Sequence, residues 1–307
     1  MKPFHILSLD GGGIKGVFPA AFLAELERIS GLRVLDRFDL IAGTSTGGIL
    51  ALGLGMGFTA KQMLDFYLTH GPRIFPTSQW RWQLQNWKSL FRYRYDPQPL
   101  RTALEGTFGD RTLQEAKPKL VIPAISANTG DVYIYKTPHH PRFVADGDER
   151  VVDVALATAA APTYFPPHVG RNGVTLLDGG LWANNPIMVG IVEALAILEQ
   201  PRDAVRVVSL GCTTSPISLG KLARKNGGAA AWVKPAVEWL THGQAISATN
   251  QSRLLLGKDR VLRVQPEVGP GLFRLDDASA INELVGLGDE FARTHESDVR
   301  KTVNWSR

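Results

Sequence analysis

The sequence predicts an α/β fold built around a mostly parallel central sheet. Short apolar segments alternate with segments of helical periodicity, which is typical of strands joined by helical crossovers. The composition is that of an ordinary globular protein, with 44% hydrophobic and 21% charged residues in a chain of 307. No linker, internal repeat or low-complexity tract divides the chain, so we expect a single domain over residues 1–307.

Six segments have the pattern of buried strands, and one helix is marked by its apolar face. Phe18, Phe22, Leu26 and Ile29 follow one another at helical spacing. A second helix is expected after Asn185-Pro186, because Asn can cap a helix and Pro is tolerated at its first position. The predicted strands are His5–Leu9, Phe38–Ala42, Leu120–Ile125, Val132–Lys136, Val174–Leu177 and Val205–Leu210. These elements form a core over about residues 1–212, and we expect residues 213–307 to be mostly helical.

The first residues, the longest apolar stretch and the single cysteine favour the cytoplasm. The opening MKPFHILSLD reaches an acid too early for a signal peptide. The longest apolar stretch, which starts at Ile49, is interrupted by glycines and falls short of the roughly 20 residues that span a bilayer. Cys212 has no cysteine partner for a disulfide or a metal cluster. The formal charge of +5 is compatible with anionic lipid or nucleic acid and does not distinguish them.

A candidate nucleophile follows the second predicted strand. Gly43-Thr44-Ser45-Thr46-Gly47 matches G-x-S-x-G between a strand and a helix, the context that this motif requires. A sharp turn there would expose the Ser45 hydroxyl, and Gly43 and Gly47 would remove side chains that collide with neighbouring backbone. An ordinary glycine- and serine-rich turn is the alternative interpretation.

The glycine loop after the first strand admits two functional interpretations. Gly11, Gly12 and Gly13 could present backbone N–H groups to a developing oxyanion, with Lys15 adding charge or fixing the loop. The same residues match the G-x-G-x-x-G fingerprint of a dinucleotide-binding module, with Asp36 in the place of a ribose-binding acid. The second glycine motif, GTSTGG, favours the oxyanion hole, because a dinucleotide domain leaves it unexplained.

Two kinds of residue could act as the base for Ser45. Asp178 ends an apolar strand and is followed by two glycines, although a free Asp with a pKa of ~3.9 is a feeble base unless burial raises that pKa. Most G-x-S-x-G hydrolases use a histidine, and His242 and His295 lie late enough in the chain for a Ser-Asp-His triad. Both hypotheses stay open on spacing alone.

Four motifs together resemble the patatin-like phospholipase family. They are DGGGIKG from Asp10, GTSTGG from Gly43, ATAAAPTYFPP from Ala157 and DGGLWANNP from Asp178. The resemblance implies a three-layer α/β/α patatin-like fold and a Ser-Asp dyad at Ser45 and Asp178 without histidine. It also implies an oxyanion hole at the glycine loop and hydrolysis of membrane phospholipid esters, with no metal and no cofactor. Relatives often carry Arg at the basic position of the loop, where this chain has Lys15.

The chain also resembles the compact bacterial members that act as effectors of cyclic-oligonucleotide anti-phage signalling. The similar stretch runs from Tyr95 through LRTALEGTFGDRTLQEAK to YIYKTPHH. This resemblance implies a cyclic dinucleotide activator and an enzyme that degrades the cell's own membrane lipid. DNA is not an expected partner.

An aromatic and basic segment suggests how the protein reaches a membrane. Residues 73–95 contain five basic residues, seven aromatic residues and no acid. Trp80, Leu84, Trp87 and Phe91 share one helical face, beside Arg81, Lys88 and Arg92. Such a face suits the headgroup boundary at the inner surface of the membrane. Packing on the domain, a bound nucleotide or self-association into a homo-oligomer are the alternatives.

Overall fold

The fold was determined as a computed structural model that describes residues 2–76, 93–171, 173–216 and 229–305. The strands are β1 (Phe4–Leu9), β2 (Leu40–Gly43), β3 (Lys119–Ser126), β4 (Val132–Lys136), β5 (His168–Val169), β6 (Thr175–Asp178), β7 (Val205–Leu210) and β8 (Val261–Val264). The α-helices are α1 (Val17–Ser30), α2 (Thr46–Gly55), α3 (Ala60–Ile74), α4 (Gln98–Phe108), α5 (Val151–Thr158), α6 (Gly180–Ala183), α7 (Ile187–Val192), α8 (Ala229–Leu256) and α9 (Ile281–Val303). The six predicted strands are all present, within two residues of the predicted ends.

All eight strands belong to one sheet, in the order β5-β6-β3-β2-β1-β7-β8, with β4 also paired to β3. The pairs from β3 through β2, β1 and β7 to β8 are parallel. Strands β4 and β6 run antiparallel to β3, and β5 runs antiparallel to β6. The predicted mostly parallel sheet is confirmed, with antiparallel strands confined to one side.

Helices cover both faces of the sheet, which gives the three layers. Alternate residues of β1 enter different cores: Leu7 and Leu9 pack with α1, α2 and α3, whereas Ile6 packs with α7 and α8. Because both faces are buried, the parallel strands are mostly apolar rather than strictly alternating with polar residues, although β1 and β7 each include two polar residues. This explains the continuous apolar runs that identified them in the sequence.

The C-terminal third contributes a strand as well as helices. Strand β8 extends the sheet next to β7, a strand that the sequence pattern did not reveal. Helix α9 packs closely along α1, since a Cβ on Gly288 would lie 2.6 Å from the Ala21 Cβ. Arg293 of α9 also donates to the buried Glu25 of α1 at 2.8 Å. Residues 213–307 are therefore part of the same sheet and helix layers as the core.

Helix α7 begins as its sequence suggests. The Asn185 side chain accepts from the Ile187 N–H at 3.0 Å, in a turn that Pro186 enters without losing a needed donor. Residues Glu193–Ile197 continue the helix as a π-helical turn. Within the described ranges, no helix is both long and apolar enough to cross a membrane.

We predict that replacing Gly47 by Ala destabilises the fold, because there is no room for a methyl group. An added Cβ would lie 2.3 Å from the Leu9 carbonyl oxygen and 2.6 Å from that of Asp10. Relieving such contacts requires a backbone shift that costs at least about 2 kcal/mol. Urea unfolding measures the change.

Gly106 is the matched control, since nothing lies within 4 Å of its added Cβ and it sits in α4. Gly106→Ala should stabilise the protein by about 0.5–1 kcal/mol, because alanine loses less backbone entropy in a helix. Equal unfolding midpoints for the two variants would contradict the packing described here.

Candidate active site

Two loops meet at the carboxyl edge of the parallel strands. The Asp10 N–H donates to the Leu210 carbonyl at 3.0 Å, and the Thr44 N–H donates to the Leu9 carbonyl at 3.1 Å. Because β1 lies between β2 and β7, the loops that follow β1 and β2 leave the sheet side by side. Open α/β sheets generally bind ligands at this edge.

Ser45 occupies a strained turn between β2 and α2. Its φ of 55° and ψ of −124° are unusual for a residue with a side chain, and such strain occurs most often at functional sites. A Cβ on Gly43 would lie 2.3 Å from the Gly47 carbonyl oxygen, so the two flanking glycines allow the turn to close. The Ser45 N–H donates to the Thr158 hydroxyl, which in turn donates to the Pro123 carbonyl. The turn is therefore held rigidly, with the Ser45 side chain partly exposed.

Asp178 reaches Ser45 from the antiparallel side of the sheet. It is the last residue of β6, where it pairs with Ala124 of β3. Its carboxylate accepts the Gly180 N–H at 2.6 Å, and the Ser45 hydroxyl lies near enough to favour the ionised form of that carboxylate. Gly179 is needed for this approach, because a Cβ there would lie 2.3 Å from the Pro123 carbonyl oxygen.

The environment of Asp178 raises the basicity of its carboxylate. Only 5% of the residue is exposed. Burial disfavours the ionised form and raises the pKa of Asp178 to about 6, although the hydrogen bonds from Ser45 and Gly180 oppose that rise. The group is thus a stronger base than a free aspartate and is still ionised at neutral pH.

The glycine loop contains two backbone donors that no described residue accepts. The Gly11 N–H donates to the Asn184 carbonyl at 3.0 Å, and the Lys15 N–H donates to the Gly12 carbonyl at 3.2 Å. In the part of the chain that the structure covers, no acceptor bonds the N–H of Gly12 or of Gly13. Gly13 has a φ of 58°, which glycine adopts without strain.

A buried ion pair holds the base of this loop. The Asp10 carboxylate receives two hydrogen bonds from the guanidinium of Arg263, at 2.8 and 2.5 Å. Arg263 comes from β8 and also donates to the Ser209 hydroxyl of β7. This bidentate pair ties the start of the glycine loop to the edge of the sheet.

Lys15 is directed toward the protein rather than outward. Its ammonium donates to the Thr213 carbonyl at 2.8 Å, and burial lowers the pKa of Lys15 from its usual value. The Cys212 thiol lies under the loop, where a Cβ on Gly12 would come within 2.3 Å of the sulfur. These contacts match the loop-fixing role, the second of the two roles considered for Lys15.

In the described ranges, which include all seven histidines, no histidine is bonded to either member of the Ser45–Asp178 pair. The hydrogen bonds and ion pairs of the described residues connect His242 to Thr214 and His295 to the Phe291 carbonyl. His139 pairs with Glu193, and His5 lies beside Asp39 at the opposite end of β1. His70, His140 and His168 contact Phe66, Phe143 and Asp153 respectively.

The residue proposed for dinucleotide binding is also remote from the glycine loop. Asp36 lines a surface depression with Lys2 and His5, at the amino ends of β1 and β2. The glycine loop follows the carboxyl end of β1, so the two parts of the fingerprint lie at opposite edges of the sheet. The dinucleotide hypothesis is therefore wrong for Asp36. Among the described residues, no group of three or more His, Cys, Asp or Glu side chains could hold a metal ion.

Comparison with known proteins identifies the family to which this site belongs. The model of the patatin-like phospholipase family matches residues 7–191. The chain belongs to that family. It is accordingly a lipid acyl hydrolase, and the family and activity class predicted from the sequence motifs are confirmed.

Bacterial patatin-like phospholipases are similar along nearly the whole chain. A cGAMP-activated phospholipase of Escherichia coli strain TW11681 is 40% identical, covering 98% of this chain and 92% of its own. A cGAMP-activated phospholipase of Pseudomonas aeruginosa strain BWHPSA011 / Pa011 is 37% identical, covering 94% and 88%. Among solved structures, VipD from Legionella pneumophila shares the fold, with a TM-score of 0.50 at 14% identity over 96% of this chain and 66% of its own.

The structure thus brings together Ser45, Asp178 and the loop at Gly11, Gly12 and Gly13, in which the Gly11 N–H already donates to Asn184. Thr158 and Arg263 were not among the predicted site residues. Thr158 belongs to a quoted motif, but no local pattern connects Arg263 with Asp10. The predicted membrane face lies outside the described residues. It consists of Trp80, Leu84, Trp87, Phe91, Arg81, Lys88 and Arg92.

We predict that Asp178→Asn makes the protein more stable at neutral pH. The folded-state pKa of about 6 lies above the unfolded value of 3.8, so ionisation penalises the folded state. That penalty is absent below pH 3.8, grows between the two pKa values and is complete above pH 6. It amounts to on the order of 3 kcal/mol, since each pKa unit corresponds to ~1.4 kcal/mol.

Urea unfolding of both proteins between pH 4 and pH 8 checks this expectation. The stability gain of Asp178→Asn should appear above pH 6 and shrink toward zero at pH 4. A gain that is equal at both ends of the range would show that burial does not raise the pKa of Asp178.

Proposed function

We propose that Ser45 and Asp178 form a catalytic dyad that hydrolyses acyl esters of membrane phospholipids. The observation that carries this proposal is the position of the Ser45 side chain beside a buried carboxylate whose pKa burial raises to about 6. A general base is most effective when its pKa approaches the working pH, and this shift moves Asp178 in that direction.

In the first half of the reaction, Ser45 becomes acylated. Asp178 takes the hydroxyl proton as the Ser45 Oγ bonds to the ester carbonyl carbon. The carbonyl oxygen becomes an oxyanion, and the free N–H groups of Gly12 and Gly13 donate to it. The N-terminal N–H groups of α2, which begins at Thr46, add positive potential at the same place. The bond to the alcohol then breaks, and Asp178 returns the proton to the departing lysolipid.

In the second half, water takes the place of the alcohol. Asp178 accepts a proton from the water as its oxygen bonds to the acyl carbon. The bond to Ser45 breaks, the proton passes to the Ser45 Oγ, and a free fatty acid leaves. Gly11 and Lys15 act in this scheme by holding the loop, because their N–H groups already have protein acceptors.

Exposed leucines beside both turns favour a substrate presented at a lipid surface. Leu181 follows the Asp178 turn and is 46% exposed. Leu275 is 41% exposed and lies beside the glycine loop, where its carbonyl accepts the Ile14 N–H. Leu272 lies close by in the chain and is 58% exposed. Apolar side chains around a site can enter the acyl boundary of a bilayer while cations meet anionic headgroups. We therefore place the enzyme peripherally at the inner membrane surface.

The relatives favour activation by a cyclic dinucleotide. Two proteins that are 40% and 37% identical over most of this chain are named cGAMP-activated phospholipases. We infer that this enzyme likewise stays idle until cyclic GMP–AMP or a related molecule binds. Degradation of the cell's own lipid would then fit a role in anti-phage defence.

Fatty acid release from phosphatidylglycerol and phosphatidylethanolamine vesicles tests the proposal. The parent should release fatty acid when one of cyclic GMP–AMP, cyclic di-GMP or cyclic di-AMP is added. Ser45→Ala and Asp178→Asn should lose at least about a thousandfold, since one removes the nucleophile and the other the base. His242→Ala and His295→Ala should stay within a few-fold of the parent.

The variants and the nucleotides test separate statements. Loss of hydrolysis in a folded His242→Ala or His295→Ala protein would replace the dyad with a triad. Hydrolysis that is equal with and without every nucleotide would remove the activation and leave the dyad intact.

A further inference from the structure

Asn184 lies between the two turns that carry the proposed dyad and the proposed oxyanion hole. It follows the short helix α6, and its carbonyl accepts the Gly11 N–H at 3.0 Å. The backbone of Asn184 therefore joins the Asp178 turn to the glycine loop. Its side chain is partly exposed, unlike that of the buried Asn185 next to it.

The Asn184 carboxamide is close to both members of the dyad. Its Oδ1 is 2.6 Å from the point where a Cβ on Gly11 would lie, and the Ser45 Cβ is 3.2 Å from that same point. Its Oδ1 is also 3.3 Å from the corresponding point on Gly180, and the Asp178 Oδ1 is 3.0 Å from it. Glycines from two separate motifs thus leave space for one amide beside the reacting groups.

The two neighbouring asparagines differ in what their amides bond. The Asn185 side chain accepts from the Ser8 hydroxyl and the Ile187 N–H, and it donates to Ala245 and Thr249. The Asn184 side chain has no hydrogen-bond partner among the residues described. A carboxamide has two donors and an acceptor, so Asn184 retains its full bonding capacity at the mouth of the site.

We propose that Asn184 is a further catalytic residue whose carboxamide binds the oxygen of the leaving alcohol, and then that of the water that replaces it. This proposal rests on the Ser45–Asp178 dyad proposed above. The oxyanion has its own donors in the Gly12 and Gly13 N–H groups, so it does not need Asn184. The leaving oxygen does need a partner near Asp178, which returns the proton to it.

The same amide serves both halves of the reaction. In acylation its NH₂ donates to the alkoxy oxygen while the bond from that oxygen to the acyl carbon breaks. In deacylation the water enters where the alcohol left, and the amide orients it as Asp178 takes its proton and its oxygen bonds to the acyl carbon. The Ser45 Oγ then leaves and receives that proton from Asp178.

A p-nitrophenyl acyl ester separates the two halves, because p-nitrophenolate leaves without needing a hydrogen-bond donor or a proton. In pre-steady-state measurements over several turnovers, Asn184→Ala should release the first p-nitrophenolate at a rate within about threefold of the parent rate. Subsequent turnover, which requires water attack, should fall by about 10- to 100-fold. The acyl-enzyme should therefore accumulate on Ser45, visible as a mass increase of the intact protein.

Two further variants keep the test decisive. Asn184→Asp preserves the shape of the side chain without its donors, and it should show the same slow turnover if Asn184→Ala folds poorly. Asn250→Ala on the exposed face of α8 is the control, and it should match the parent in both phases.

An equal loss in both phases would show that Asn184 only shapes the site, and parent behaviour in both phases would show that it has no role. Either result overturns the proposal. A failure of the dyad itself is recognised separately, because Asp178→Asn would then release the first p-nitrophenolate at the parent rate.

Discussion

Close packing of three glycine turns, two against neighbouring backbone and one against the Cys212 side chain, is the constraint on which the rest of the site depends. The turn at Gly47 contacts the Leu9 and Asp10 carbonyls, and the turn at Gly179 contacts the Pro123 carbonyl. The loop at Gly12 lies directly on Cys212. A side chain at any of these glycines would push one turn away from the others. The glycines therefore let the Ser45 hydroxyl and the Asp178 carboxylate approach each other.

This packing also explains where the site stores unfavourable energy. The Ser45 turn has a strained backbone, and Thr158 holds it by bonding both Ser45 and Pro123. Asp178 is ionised in a buried position, which opposes folding but increases its basicity. The packing of the sheet and helix layers offsets the backbone strain at Ser45 and the cost of burying the charged Asp178. Such a trade-off is common where activity requires a destabilised group.

Much of the fold and the dyad's neighbourhood could be predicted because the relevant signals are local. Strand, glycine turn and helix follow one another within about 15 residues at the β1 loop and at Ser45, and both motifs are visible in the sequence alone. Burial on both sheet faces made these strands mostly apolar, so each was recognisable in the sequence. Asp178 stood out because a strand ends there before two glycines.

What escaped prediction depends on contacts between distant parts of the chain. Arg263 pairs with Asp10 across a separation of 253 residues, and no spacing rule connects them. Strand β5 is only two residues long, and β8 has four residues, of which only Val261 and Val264 are buried, in a region without assignable motifs. The dinucleotide fingerprint matched by sequence spacing, but the fold places Asp36 at the other edge of the sheet. Asn184 lay within a quoted motif, and only the coordinates show its amide beside the dyad.

A crystal structure of the protein after reaction with a lipid fluorophosphonate is the most direct test of the proposed chemistry, since the phosphonyl group mimics the tetrahedral intermediate. We expect phosphorus bonded to the Ser45 Oγ, its oxygen accepting from the Gly12 and Gly13 N–H groups, and the Asp178 carboxylate beside the Ser45 oxygen. An imidazole in the place of that carboxylate, or a phosphonyl oxygen turned away from the glycine loop, would contradict the Ser-Asp dyad.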